Sequence, residues 1–384
     1  MEKILVGLSG GVDSAVAAYL LKQQGYDVTC AFMRNWDSIA NSDILGNPTL
    51  DDGQCSQEKD YDDAKAAAEK LGLPLLRIDF IEEYWTDVFS RFLDTYRNGR
   101  TPNPDILCNR YIKFDQFMKF AKEKGFDTLA TGHYAKIGMR DGKKVLMKAD
   151  DRNKDQSYFL AEIQRSTLES ICFPLSSINK DEVRAIAAKL DLSIAAKKDS
   201  TGICFIGERK FRQFLSNYLP MKPGKIIHIS GREAGMHQGV LYYTIGQRKG
   251  LNIGGTGPYY VIGKNIEKNE LYVTDENDQS WLYSTSCIVR NVNWLADAQL
   301  PKAMAAKFRY RQSDQDIILE KTDETTALVR FPETVRSVTP GQEAVFYDGD
   351  VVIGGGEIDQ VFQGEEDLMQ KIQTEIDARR EYGS

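Results

Sequence analysis

The residues best suited to chemistry lie in three stretches. Gly7-Leu8-Ser9-Gly10-Gly11-Val12-Asp13-Ser14 follows the apolar run Ile4-Leu5-Val6 and opens into Ala15-Val16-Ala17-Ala18-Tyr19-Leu20-Leu21. That order predicts a buried strand, a tight turn and a helix. Such a turn aims backbone N–H groups and the positive end of a helix dipole at one point, a setting for phosphate. Gly10 and Gly11 let the backbone approach an anion with no Cβ in the way. Ser9 and Ser14 add hydroxyl donors, and Asp13 can hold magnesium or orient a water. The second stretch carries Cys108 after Asn103-Pro104-Asp105-Ile106-Leu107, with Arg110 and Lys113 close by. Nearby cations and a helix N-terminus both favour a thiolate. The third, Lys197-Lys198-Asp199-Ser200-Thr201-Gly202-Ile203-Cys204-Phe205-Ile206-Gly207, sets a cysteine in a small-residue turn after two lysines. For each cysteine the plain alternative is a buried core side chain.

The glycine turn is neither of the common nucleotide loops. The Walker pattern puts Lys before its last Ser/Thr, and the dinucleotide fingerprint needs three spaced glycines. Asp13 precedes Ser14 instead. Other side chains stand where open α/β sheets bind ligands, at strand C-termini. Met33 ends the run Asp27–Met33 and could lie against an adenine. Gly132 follows Asp127–Thr131 and permits close approach of a nucleotide. His133 beside it reads more readily as a hydrogen-bonded structural residue than as a catalyst. Lys154-Asp155-Gln156 is either a helix cap or a contact surface. Lys307-Phe308-Arg309-Tyr310-Arg311, read as a strand, puts three cations on one face, a phosphate-contacting stripe or an ordinary solvated face.

These residues need a frame of alternating strands and helices. Strands are expected at 27–33, 75–80 and 127–131, and helices at 60–71, 82–98, from Arg110, from Lys154 and at 179–190. The last of these has a capping box, Asn179…Glu182. Residues 35–59 read as a long loop, and the two prolines at 102 and 104 as excluding a helix before Arg110. A hairpin turning at Asp141-Gly142 is expected over 136–149. The alternation indicates a doubly wound parallel sheet in an α/β domain over 1–211. Beyond it glycines become frequent, indicating a small β-rich central domain over 212–280. A β-barrel follows over 281–384, its last twenty charged residues read as a frayed helix or tail.

A chain of 384 residues with 42% hydrophobic and 27% charged side chains is long enough for two or three domains of ordinary globular type. A net charge of −7 excludes coating of nucleic acid by bulk positive charge, but not a local basic patch. No run approaches a membrane span, the first strand leaves no room for a leader, and a cytoplasmic protein is expected. The six cysteines lack Cys-x-x-Cys spacing, so no local metal site is predicted.

Ser9-Gly10-Gly11-Val12-Asp13-Ser14 resembles the pyrophosphate (PP) loop of ATP pyrophosphatases. Together with the two-proline cysteine loop and Asp199-Ser200-Thr201-Gly202-Ile203-Cys204-Phe205-Ile206-Gly207, it resembles the bacterial tRNA-specific 2-thiouridylases over nearly the whole chain. The resemblance implies an ATP-dependent sulfurtransferase acting at C2 of the wobble uridine, position 34, of the lysine, glutamate and glutamine tRNAs. It implies ATP with Mg2+ on Gly7, Leu8, Ser9, Gly10, Gly11, Val12, Asp13 and Ser14, with Met33 and Gly132 near the adenosine. Asn103, Pro104 and Asp105 would receive the flipped base, Asp105 assisting proton transfer. Cys204 would carry persulfide sulfur and Cys108 would be the partner nucleophile, ending in a Cys108–Cys204 disulfide. His133, Lys154, Asp155, Gln156, Tyr310, Arg311 and Gln342 would contact the tRNA. A cysteine desulfurase or sulfur-relay protein would supply the sulfur, and a cytosolic reductant would reopen the disulfide. Two rivals share some features. A small-molecule amide or guanidino synthetase would use the loop without the cysteine pair. An RNA-binding protein with a vestigial loop would release no pyrophosphate.

Overall fold

The structure, a computed structural model, describes residues 2–49, 55–198, 202–204, 206, 209–254 and 257–382. Asp199, Ser200, Thr201, Phe205 and Gly207 of the stretches read above lie outside the described residues. The chain opens with β1 (Lys3–Gly7), β2 (Asp27–Arg34), β3 (Leu75–Asp79) and β4 (Thr128–Ala130). A hairpin, β5 (Ala135–Arg140) and β6 (Lys143–Lys148), and the short β7 (Ile171–Cys172) follow. Strands β3-β2-β1-β4-β7 form one parallel sheet in that order. Successive residues of the central strand serve opposite faces, as the period of two requires. Leu5 packs into a core with Met33 and Leu129, while Ile4 and Val6 pack into another with Val16 and Cys30. Both faces are thus covered, as the expected doubly wound sheet demands.

Several elements begin elsewhere than their sequence suggests. The helix expected at 60 already runs from Ser56 to Leu71, and Gly72 ends it with φ +60°. The helix expected near Arg110 starts at Pro104, with Asn103 before it. Proline costs nothing at the first helical position, where its missing N–H would have had no partner. From Cys108 to Gln116 this helix is wound as a π-helix, then continues over Phe117–Glu123. The helix expected from Lys154 is only a 3-10 turn, Ser157–Leu160. There Asp155 accepts bonds from the Ala149 and Ser157 backbone N–H groups and the Ser157 hydroxyl, closing a turn. Asn179 and Glu182 make the predicted capping box on Lys180–Lys189.

The central unit is a four-stranded sheet of β8 (Gly224–His228), β9 (Glu233–His237), β10 (Tyr259–Asn265) and β11 (Glu270–Asp275), ordered β10-β11-β8-β9. Then come β12 (Tyr283–Trp294), β13 (Lys302–Lys307), β14 (Gln315–Lys321), β15 (Ala327–Arg336), β16 (Glu343–Asp348) and β17 (Val351–Gln363). Their antiparallel pairings run β12-β15-β14-β13-β16-β17 and close through β12–β17, giving a six-stranded barrel with no free edge between them. The hairpin β5–β6 adds to this barrel rather than to the parallel sheet, through Met147 opposite Val351. Ion pairs Arg140–Asp348 and Arg152–Asp350 hold it there.

Two expectations for the barrel are corrected. Strand β13 ends at Lys307, so Phe308–Arg311 form a turn and the cations diverge. Arg309 turns inward and donates to the carbonyls of Ile245 and Ser337 and to the Thr339 hydroxyl, tying the central unit to the barrel. The charged C-terminus is no frayed tail but a packed helix, Leu368–Tyr382. Its Ile372 and Ile376 are fully buried. Gln373 accepts from Tyr272, and Arg380 pairs with Glu270, across to β11.

Candidate active site: one cleft for a phosphate loop and two thiols

Between the parallel sheet and the barrel lies a cleft of about 700 Å3. Its walls include Ser9, Gly11, Val12, Asp13 and Ser14 on one side and Asp105, Lys113 and Cys204 on the other, with Lys154, Gln156, Tyr310 and Arg311 at the barrel side. Residues as far apart in sequence as Ser9 and Arg311 thus share one space.

The glycine turn is locked by its own hydroxyls. Ser14 Oγ accepts from the Ser9 N–H at 3.2 Å, lies 3.2 Å from Ser9 Oγ and donates to the Gly11 carbonyl at 3.0 Å. Gly10 has φ +75°, and a Cβ there would lie 2.2 Å from the Asp60 carbonyl oxygen. Gly132 must also be glycine for space: a Cβ would fall 2.7 Å from the Ser14 nitrogen. Met33 approaches the same turn, its Cε within 3.7 Å of the position a Gly7 Cβ would take.

Two lysines brace this turn: Lys180, absent from the sequence reading, and Lys197, read there only as a neighbour of Cys204. Lys180 Nζ lies 2.7 Å from both oxygens of Asp13, and the Tyr134 hydroxyl donates to the same carboxylate at 3.0 Å. Asp13, read as a magnesium ligand or water holder, therefore faces a resident cation. Lys197 Nζ bonds the Gly10 carbonyl at 3.1 Å and the carboxylates of Asp60 and Asp63 at 2.8 and 2.6 Å. Among the described residues no group of three or more His, Cys, Asp or Glu is placed to hold a metal ion.

Cys108 and Cys204 meet at an Sγ–Sγ distance of 4.0 Å, and neither is in a disulfide. Their environments differ. Burial, then contact with Cys204, pushes the Cys108 thiol well above its ordinary value. The hydrogen bond from Cys108, together with the Lys113 ammonium, holds the Cys204 thiol below its ordinary value despite burial. Burial opposes the charge on Lys113, but the two thiols and Asp105 outweigh it and raise its pKa. Arg110, read as a thiolate partner, points away and pairs with Glu162 at 3.0 Å. The Asp105 carboxyl is raised by burial, against the pull of Lys113 and of the Cys204 N–H, which donates to it at 3.2 Å. Tyr84, also missed, donates from its hydroxyl to the Cys204 carbonyl at 2.8 Å. A second anchor follows the cysteine: Arg209 pairs with Asp43 at 2.8 Å, both side chains almost wholly buried. Asp43 also accepts from Trp36 and Asn47, so the 35–49 loop is tied around one buried carboxylate.

The remaining sequence candidates divide. Lys154, Gln156, Tyr310 and Arg311 line the cleft, Tyr310 packing on Phe159 with ring centroids 4.4 Å apart. Asp155, His133 and Gln342 face inward. His133 packs between Phe114 and Phe173 and shares a 2.8 Å bond with Thr131; burial and then Lys113 depress its pKa well below the usual imidazole range. Gln342 donates to the Thr101 and Pro102 carbonyls at 2.9 and 3.0 Å, holding the segment ahead of Asn103.

Comparison with known proteins agrees with this architecture. A family model described as the tRNA methyl transferase HUP domain matches residues 2–208, a tRNA methyl transferase PRC-barrel domain residues 212–275, and an aminomethyltransferase beta-barrel domain residues 284–358. The chain is 51% identical over 373 residues to the tRNA-specific 2-thiouridylase MnmA of Mycoplasma capricolum, covering 94% of this chain and 100% of that protein. It is 49% identical over 371 residues to the same-named protein of Mycoplasmopsis pulmonis, covering 96% and 99%. With tRNA-specific 2-thiouridylase MnmA 1 of Geobacillus kaustophilus the identity is 48% over 367 residues, covering 94% and 96%. Near-complete mutual coverage at such identity, on a chain whose glycine turn and Cys204 line one cleft with Cys108 directly behind, means that this protein belongs to the tRNA-specific 2-thiouridylase family.

Proposed function

We propose that this chain replaces the C2 oxygen of the wobble uridine of the lysine, glutamate and glutamine tRNAs with sulfur, at the expense of ATP. The single observation that carries the reading is the cleft with a phosphate-type loop on one wall and Cys204 on the other, the buried Cys108 thiol lying 4.0 Å behind it. A uracil carbonyl oxygen is a poor leaving group. Transfer of AMP from ATP to that oxygen, with release of pyrophosphate, makes AMP the leaving group. The Gly7–Ser14 turn would bind the phosphates, with Met33 and Gly132 beside the adenosine, and Lys180 and Lys197 would neutralise charge. Magnesium, when bound, would supply further charge neutralisation to the leaving pyrophosphate, and Asp13 would serve it only by releasing Lys180.

Sulfur arrives as a persulfide on Cys204, the thiol with the lowered pKa. Its terminal sulfur attacks C2 and expels AMP, after which the Cys108 sulfur attacks Cys204 Sγ and leaves the thiocarbonyl on the base. Alternatively Cys108 first releases hydrosulfide, which attacks C2. Both routes leave a Cys108–Cys204 disulfide and consume two electrons from a reductant. Asn103, Pro104 and Asp105 would hold the flipped base, the buried Asp105 carboxyl giving or taking the proton. Lys154, Gln156, Tyr310 and Arg311 would meet the RNA, while Asp155, His133 and Gln342 would fix the walls that do so. A desulfurase or relay protein as donor, and the cytoplasm as compartment, belong to the same proposal; among the described residues no helix is long and apolar enough to cross a membrane.

The test is transfer of radiolabelled sulfur into unmodified glutamate tRNA by wild type, Cys108→Ala and Cys204→Ala. Label that enters only with ATP and both cysteines is expected. Entry with either cysteine replaced would sink the two-thiol mechanism, and ATP-dependent pyrophosphate release without tRNA labelling would favour a small-molecule synthetase.

A further inference from the structure

A second cavity, of about 270 Å3, lies where the three parts of the chain meet, drawing on residues 98–101, 245–266 and 338–369. It shares no lining residue with the cleft. Its wall is mainly apolar, with Ile262, Val338, Val361 and Leu368. Lys264 from β10 lines it, with its Nζ buried in the wall, out of reach of solvent and without a hydrogen-bond partner. The hydroxyl of Thr101, another wall residue, is likewise buried without a partner. Two orphaned donors buried just behind one small cavity are costly, since each has given up water for nothing. The other charged groups on the wall are Arg100, Asp359 and Asp367. Arg100 is already bonded to Asp359 and to Glu357, and Asp359 also to Arg290 at 2.6 Å. Asp367 Oδ1 accepts the Gln370 N–H at the start of the C-terminal helix. The amine of Lys264 is thus the one ionisable group on this wall without a bonded partner.

We propose that this cavity binds a small apolar monocarboxylate, its carboxylate drawing the Lys264 amine and the Thr101 hydroxyl out of the wall by side-chain rotation and its hydrocarbon part meeting the apolar lining. The size suits a ligand of roughly ten non-hydrogen atoms, below the usual drug-sized range. Burial lowers the pKa of Lys264 to about 7. An entering carboxylate favours the ammonium, so binding somewhat above that pH draws a proton from solvent. The occupant would touch Thr101, whose carbonyl Gln342 holds, and so would back the segment leading to Asn103.

Calorimetric titration of the whole protein with sodium octanoate, at about pH 8 in two buffers of different ionisation enthalpy, tests this. Saturable binding with uptake of about one proton is expected, stronger than that of 1-octanol by about tenfold or more. Lys264→Met should lose that preference while melting no lower than wild type, because it removes a buried unpaired amine. No saturable octanoate binding, equal binding of octanol, or undiminished octanoate binding to Lys264→Met would each overturn the proposal. Should Lys264→Met not fold, the octanoate–octanol comparison and the proton count on wild type decide alone. Neither readout depends on sulfur transfer, so failure here leaves the proposed reaction untouched.

Discussion

The Sγ of Cys204 stands 4.0 Å from that of Cys108, twice the length of a disulfide bond and close enough for one to form with a modest shift of either loop. The two thiols are chemically unequal, because Lys113 and the Cys108 thiol favour charge on Cys204 while burial disfavours it on Cys108. Iodoacetamide labelling followed across pH should therefore show Cys204 reacting with an apparent pKa below that of an ordinary cysteine, and Cys108 reacting last. Lys113→Met should move the Cys204 profile upward. Equal profiles for the two cysteines, unchanged in that variant, would refute the assignment.

Arg209 and Asp43 form an ion pair with almost no exposure. Removing one partner leaves the other charge buried and uncompensated. Arg209→Met should cost about 3–5 kcal/mol in denaturant unfolding. A loss below about 1 kcal/mol would show that water reaches the pair.

Gly132 sits where a Cβ would press on the Ser14 nitrogen at 2.7 Å, and its φ lies outside the left-handed region. The constraint is space alone. Gly132→Ala should displace the 9–14 turn and lower ATP-dependent pyrophosphate release by about tenfold or more, roughly 1.4 kcal/mol in transition-state terms. Unchanged release would place the nucleotide elsewhere.

His133 is held neutral by burial and by Lys113. Its folded pKa lies below the unfolded value near 6.5, so the unfolded chain binds the extra proton first. The stability it contributes is complete above about pH 6.5 and is lost as pH falls toward the folded pKa. In an NMR titration its ring signals should stay those of a neutral imidazole from about pH 8 to pH 6. A midpoint near 6.5 would contradict the buried placement.

Local chemistry was legible in the sequence where it is short-ranged. The strand–turn–helix around Gly10 and the Asn179–Glu182 cap depend on residues a few positions apart, and the parallel sheet was legible through the local alternation of its strands and helices. The proline at 104 misled because the same ring that breaks a helix interior is welcome at its first residue. Arg110 misled because sequence proximity to Cys108 says nothing of side-chain direction, and Glu162 claims it. Lys180 escaped notice and Lys197 was assigned to Cys204 instead because their partners, Asp13 and Gly10, lie 167 and 187 positions away. The stripe at 307–311 failed since period-two alternation outlasted the strand itself.

The β5–β6 hairpin gives this chain a timetable. Met147 and Lys148 pair with residues 350 and 351, about two hundred positions downstream. At translation speeds of roughly 5–20 residues per second, the hairpin's outer edge waits some 10–40 s for its partner to leave the ribosome. During that interval the nucleotide-type sheet can be finished while one strand edge stays open to wrong pairings. Lys143, Lys144 and Lys148, spaced along that edge strand, are the kind of charges that keep an unpaired edge solvated until the barrel arrives to cover it.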